Sequence, residues 1–325
     1  MARIASLGLA TQDIYLIDRD DFVGADIAGS SIFGHLVIGS QVDIDRVHFA
    51  VGGGGTNSAT TFARYGHESI LISSISRDIS GEAVTSCLDR ENIASSYLEF
   101  DRSGTACSVI LLDAKTTQHT TLSFRGTKRR FSHLSPDSLL AISPDWLYAS
   151  SLGGDMRTLL RFFEQAHLVG AKVMFNPGLD EMAEIPKLIG LLDDVDVLLV
   201  NKQEAAKIVP GVLLTELLVR LARYCPTVII TDGEMGAIAT DHSVIYRLSV
   251  YEQVKARDGA GVGDAFGSGF LASLASGDNF EEALQFASAN AASVIRSYGP
   301  KAGILNGTEP LHPMPIQTVT DIKLD

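Results

Sequence analysis

Residues 195–200, Val-Asp-Val-Leu-Leu-Val, are almost all apolar and rich in β-branched side chains. A run so short has no polar face to give to water. It suits a strand covered on both sides, as in a parallel sheet. Residues 3–9, 69–76, 146–150, 172–176 and 228–231 read the same way. Between them lie segments with apolar residues three and four apart, at 81–91, 156–168 and 213–224, which predict amphipathic helices. Strand and helix in alternation require a layered α/β core, because each doubly buried strand needs helices above and below it.

Two stretches break the rhythm. Residues 14–50 read as strand and turn, punctuated by Gly24, Gly29, Gly34 and Gly39, and residues 97–124 read as a hairpin, CSVILLD then QHTTLSF. Two β-only inserts can pair into one small sheet, a lid over a site. The expected division is a core of residues 1–13, 51–96 and 125–325 and a lid of 14–50 and 97–124. From about Leu305 the chain reads as a surface-wrapping tail.

The chain has 325 residues, with 39 Asp and Glu against 26 Lys and Arg, a net charge of −13. That balance argues against a nucleic-acid partner, which needs a basic face for phosphates. No apolar run reaches about 18 residues, and the N-terminus resembles no signal peptide, so no membrane partner and a cytoplasmic location are expected. Cys87, Cys107 and Cys225 are too few and too scattered for a disulfide framework or a metal knuckle. The eight histidines form no ligand pattern. Lys128, Arg129 and Arg130 form the one basic run; it could receive a phosphorylated substrate, though a solvated loop is the plainer reading.

The glycines cluster twice, at Gly52-Gly53-Gly54-Gly55-Thr56-Asn57 and at Asp258-Gly259-Ala260-Gly261-Val262-Gly263-Asp264. Each cluster precedes a helix-like run, 58–65 and 265–276. Glycine permits unusual backbone angles and close approach, and a helix start favours anions. A tight turn feeding a helix is the plainer reading of either cluster alone. There is no GxxxxGK[ST] and no GxGxxG opening a helix, which speaks against a P-loop protein and a nicotinamide oxidoreductase. At the second cluster, amides at the helix start can hold a transferring phosphoryl group, and Asp264 can accept the proton of an attacking hydroxyl. Taken alone, Asp264 could equally be an acid favoured by the helix dipole.

Asp258–Phe266 resembles the C-terminal signature of the ribokinase-like (PfkB-type) carbohydrate kinases, and Gly52–Ala59 resembles their N-terminal signature. Further matches follow in the family's order: Gly8 and Asp13, then Asp78 and Gly81, then Asn201 to Glu204, then Thr231, Gly233 and Gly236. Ser76 and Arg77 stand where the family's third motif expects a glycine. The resemblance spans roughly residues 3 to 305. It implies a three-layer α/β/α sandwich with a mostly parallel sheet and a small β-sheet lid.

The resemblance further implies that the chain moves the γ-phosphate of ATP to a hydroxymethyl group of a small sugar. It assigns the base to Asp264 and the anion hole to Gly261, Val262 and Gly263. Asp13, Gly53, Gly54 and Asn57 would contact the sugar, with Arg125 as a further substrate contact or a solvated arginine. Asn201 and Glu204 would organise the phosphates and Mg²⁺, Glu204 acting through water. Thr231, Gly233, Gly236 and Ser288 would line the nucleotide. Gly259 stands where potassium-activated members carry a Thr, which weakens the case for K⁺. A homodimer through the lid is implied. A nucleoside kinase is the alternative within the family, with Phe33, Phe49 and Phe124 as platforms for a base. A non-catalytic binder that kept the fold is the rival from another class.

Overall fold

The computed structural model describes residues 1–18, 26–28, 31–33, 39, 41, 43–113, 119–126 and 131–319. In chain order the first half holds β1 (Arg3–Leu7), β2 (Thr11–Asp18), β3 (Asp26–Ala28), β4 (Ser31–Phe33), β5 (Arg46–Gly52), α1 (Gly54–Tyr65), β6 (Glu68–Ile75), α2 (Ile79–Arg90), β7 (Ala94–Phe100), β8 (Ala106–Asp113) and β9 (His119–Phe124). The second half holds α3 (Ser138–Ile142), β10 (Trp146–Ser150), α4 (Met156–Leu168), β11 (Lys172–Asn176), α5 (Ile185–Leu191), β12 (Val197–Asn201), α6 (Lys202–Ile208), α7 (Leu214–Leu221), β13 (Thr227–Thr231), β14 (Ala237–Thr240), β15 (Ile245–Leu248), α8 (Val262–Ser276), α9 (Phe280–Val294) and β16 (Ile316–Val319).

Among the described residues the large sheet runs β16-β15-β14-β13-β12-β11-β10-β1-β6-β7. From β13 to β7 every neighbour is parallel, and β14, β15 and β16 add antiparallel at one edge. The apolar run that opened the sequence reading is β12. Its Leu198 and Val200 enter one core with Phe162 and Phe163 of α4, while Val197 and Leu199 enter the other with Phe62 of α1 and Phe270 of α8. Both faces are therefore covered, and the sandwich has three layers.

The two β-only stretches contribute to a separate small sheet, ordered β5-β2-β8-β9. Its strands begin and end outside the expected limits. Thr11 to Asp13 already belong to β2, and β5 continues to Gly52. Residues 97–100 lie instead in β7, which pairs parallel to β6 in the large sheet. Hydrophobic alternation was equally compatible with either sheet; pairing with β6 decided it.

Two more differences are informative. The first glycine cluster is not wholly a turn, because α1 starts at Gly54 with Gly53 as its cap. The tail from Leu305 is not only a wrapping segment. Its residues Ile316–Val319 pair antiparallel to β15 and close the sheet edge. Lys128, Arg129 and Arg130 lie outside the described residues.

Candidate active site

The parallel strands end on one side of the sheet, where Gly8 follows β1 and Ser150, Asn176, Asn201 and Thr231 end β10, β11, β12 and β13. Ligands of open α/β sheets lie outside these carboxyl ends. Both glycine clusters deliver a helix start there.

Helix α8 begins at Val262, with Gly261 as its cap at φ 72°. A side chain at Gly261 would collide with Pro300, so the tight entry requires glycine. The first intrahelical bond runs from Ala265 N to Gly261 O at 2.8 Å. The amides of Val262, Gly263 and Asp264 precede it and have no intrahelical acceptor. They include Val262 and Gly263 of the expected Gly261–Gly263 set and add Asp264, because the helix starts at Val262 rather than at Gly263.

The Asp264 side chain sits in this first turn, half-buried. Its Oδ2 accepts a hydrogen bond from Asn57 Nδ2 at 2.8 Å. Burial pushes its carboxyl above the usual range, against the Asn57 bond and the charge of Lys301. A carboxylate raised in this way is a stronger base. Gly54 passes close by. A Cβ there would lie 2.6 Å from Ser150 Oγ and 3.2 Å from Asp264 Oδ1. Gly53, at φ 90°, leaves no room for a side chain against the Leu9 carbonyl. The two glycines act through the backbone, letting α1 start against the ends of β1 and β10.

Asn57 is buried, as is Lys301. Lys301 Nζ donates to Val51 O at 2.6 Å, Thr56 Oγ1 at 2.7 Å and Asn57 Oδ1 at 2.6 Å. Burial pushes its ammonium down to about 8, opposed by the charges of Asp13, Asp264 and Glu91 among others. Asp13, on β2, is also buried and raised by burial, against Lys301 and hydrogen bonds from Thr11 and Ser108. Thr11 Oγ1 donates to its Oδ1 at 3.1 Å. A side chain at Gly52 would strike this carboxylate.

A cavity of about 230 Å³ is lined by Asp264, Gly261 and Gly263 together with Asn176, Asn201, Glu204 and Thr231. Asn201 and Glu204 form a capping box at the start of α6: Glu204 N donates to Asn201 Oδ1 and Asn201 N to Glu204 Oε2, both at 2.9 Å. Burial raises Glu204 above the usual carboxylate range. One carboxylate oxygen beside amide oxygens suits a hard cation that keeps most of its waters, as Mg²⁺ does. The adjoining cavity, about 240 Å³, shares Thr231 and Gly263 and is lined by Gly233, Gly236, Val262, Phe266 and Ser288. Ser288 Oγ is already engaged by Tyr251 N at 3.0 Å.

Arg125 lines neither cavity. Its Nη1 pairs with Asp180 Oδ1 at 3.2 Å, and half its side chain is exposed. Asp78 caps α2, accepting from Gly81 N and Thr105 N, each at 2.8 Å; its motif position serves the fold. Sequence reasoning missed Lys301, Ser150 and Asn176. Each lies at a strand end or a loop, where no periodicity marks it. A third cavity, of about 440 Å³, is lined by Lys301, Val51, Cys87 and Glu91 and shares no residue with the other two. Among the described residues no cluster of three or more His, Cys, Asp or Glu could hold a metal ion, and no helix is long and apolar enough to cross a membrane.

The sequence profile of the pfkB family carbohydrate kinases matches residues 2–306. The chain belongs to this family. It is a phosphotransferase with an alcohol group as acceptor. Among relatives of the family, the ribokinase of Haemophilus influenzae is 26% identical over 284 residues, covering 84% of this chain and 90% of that one. The fold is that of ribokinase-family structures. A ribokinase from Arabidopsis thaliana, complexed with ribose and ATP, superposes with a TM-score of 0.79 at 18% identity, over 94% of this chain and 96% of that one. A nucleoside kinase from Methanocaldococcus jannaschii gives 0.76 at 20% identity, over 94% and 96%. At such identities these two likenesses speak for the fold alone.

Proposed function

We propose that this family member transfers the γ-phosphate of ATP to a hydroxymethyl group of a small sugar, in the manner of a ribokinase or fructokinase. The observation that carries the reading is Asp264, held by Asn57 beside the unpaired amides at the start of α8. The acceptor hydroxyl gives its proton to Asp264 as its oxygen bonds to phosphorus and the bond to the ADP oxygen breaks. The Val262, Gly263 and Asp264 amides take up charge on the transferring group. ATP would lie across the two joined cavities, with Thr231, Gly233, Gly236 and Ser288 around the nucleoside. Mg²⁺, held through water by Glu204 and Asn201, would supply positive charge at the phosphates.

Asp13 and Asn57 are the polar groups offered to the sugar. Arg125 belongs here only if it leaves Asp180. The small sheet serves as a lid that keeps water from the phosphoryl group. Phe49 pairs across from Ile14, and Phe124 from Cys107, so both project from the sheet face opposite to Asp13. Neither stands on the Asp13 face as a platform for a nucleobase, and this favours a sugar over a nucleoside; the Phe33 side chain lies outside what the structure describes.

That opposite face is apolar. Val47, Phe49, Leu122 and Phe124 are exposed on it, and Ile14, Leu16, Val109 and Leu111 are half-buried. A second copy of the chain is the occupant we propose, since one apolar sheet face suits a two-fold pairing with itself. The decisive experiment is coupled ADP release over a panel of pentoses, hexoses, sugar phosphates and nucleosides. Asp264→Asn is the control, expected to lose 10²–10⁴-fold in kcat while an ATP analogue still binds. A variant that turns over at the wild-type rate would remove Asp264 from the base role.

A further inference from the structure

We infer that Lys301 is a positioning residue for phosphoryl transfer, fixing the Asn57 amide so that its Nδ2 faces Asp264. The inference rests on the reading of Asp264 as the base. An asparagine amide presents an acceptor on one side and a donor on the other, and a half-turn exchanges them. An ammonium has only donors and a carboxylate only acceptors. Wedged between Lys301 Nζ at 2.6 Å and Asp264 Oδ2 at 2.8 Å, Asn57 has one orientation that satisfies both neighbours. The opposite orientation would set its oxygen against the Asp264 carboxylate and its NH₂ against the ammonium.

Lys301 is fixed in turn. Its three bonds go to Val51 at the end of β5 and to Thr56 and Asn57 of the N-terminal glycine segment, and it is buried. A buried ammonium among uncharged acceptors is a costly way to hold a loop. What it adds beyond packing is polarity: it defines which end of Asn57 the base meets. The Lys301 carbonyl accepts from Arg64 Nη1 at 2.8 Å, and Arg64 is paired with Glu91, so the lysine backbone is anchored to α1. The chain from Arg64 through Lys301 and Asn57 to Asp264 joins three segments far apart in sequence.

A double-mutant cycle tests this. Rates are measured with ATP and whichever of D-ribose and D-fructose gives the faster ADP release. Lys301→Met should lower kcat about tenfold or more, with KM for ATP within twofold of wild type. Lys301→Met combined with Asn57→Ala should be no more than twofold slower than Asn57→Ala alone, because the lysine acts through the amide. Losses that multiply, or a folded Lys301→Met protein within twofold of the wild-type kcat, would overturn the inference. Asn57→Asp decides the matter if Lys301→Met does not fold. It keeps an oxygen for Lys301 but has no donor for Asp264, so it should be as slow as Asn57→Ala while its thermal midpoint stays near that of wild type. A rate near wild type would overturn the inference. Asp264→Asn, assayed in parallel, reports on the base itself whatever the lysine variants do.

Discussion

Asp264 experiences three opposed influences: burial raises its proton affinity, and the Asn57 bond and the Lys301 charge lower it. The net direction is upward, and a base works only when deprotonated. The rate kcat should therefore fall as pH drops through a midpoint above the ordinary carboxylate value. Removing a bond to the charged form raises that midpoint further, so Asn57→Ala should shift the acid limb of the kcat profile to higher pH. An unmoved limb would mean that Asn57 does not act on the group that titrates. The sequence made Asp264 and Asn57 legible because each lies in a glycine-rich segment before a helix. It left Lys301 invisible, since one lysine in a loop carries no period, and only packing against Val51, Thr56 and Asn57 gives it a role.

At the scale of elements, the glycine segments are helix starts pressed against strand ends. Gly53 sits at φ 90°, with the Leu9 carbonyl where a side chain would go. Gly53→Ala should cost about 1–3 kcal/mol of stability, read from urea unfolding. Near-neutral behaviour would mean that the α1 entry relaxes easily. The sequence limits of strands 146–150 and 172–176 match the observed ones, because each short apolar run ends in or is flanked by polar residues (Asp145, Ser150, Lys172 and Asn176). Residues 97–100 were placed in the wrong sheet, since a half-buried strand looks the same in either. The β2–β5–β8–β9 sheet presents an apolar face that this chain's described residues do not cover. Leu122→Asp, on exposed β9, should convert the proposed dimer to monomer in light scattering while leaving the fold intact. A wild-type monomer would end that proposal.

The whole molecule carries a net charge of −13 yet is a kinase whose proposed donor is a polyanion. Backbone amides at the start of α8 and a bound cation can supply the positive field locally, so a basic surface is not needed. Binding to the folded state alone must raise its stability. An ATP analogue at about 100 times its Kd should add about 2.7 kcal/mol, seen as a rise in Tm. NADH, which needs a dinucleotide fingerprint the chain lacks, should leave Tm unchanged. A rise with NADH and none with the ATP analogue would reverse the assignment of the two joined cavities.

The sequence by itself determined the α/β alternation, the doubly buried strands, the two glycine segments and the acidic residues beside them, because these are properties of neighbours along the chain. The tertiary structure decided what no local pattern encodes. It set Asn57 against Asp264 across 207 positions and placed Lys301 behind Asn57. It gave Arg125 to Asp180 rather than to either joined cavity, and used the tail to close the sheet edge. Hydrogen bonds and burial between distant segments form only when the layers pack, so their partners cannot be read in one dimension.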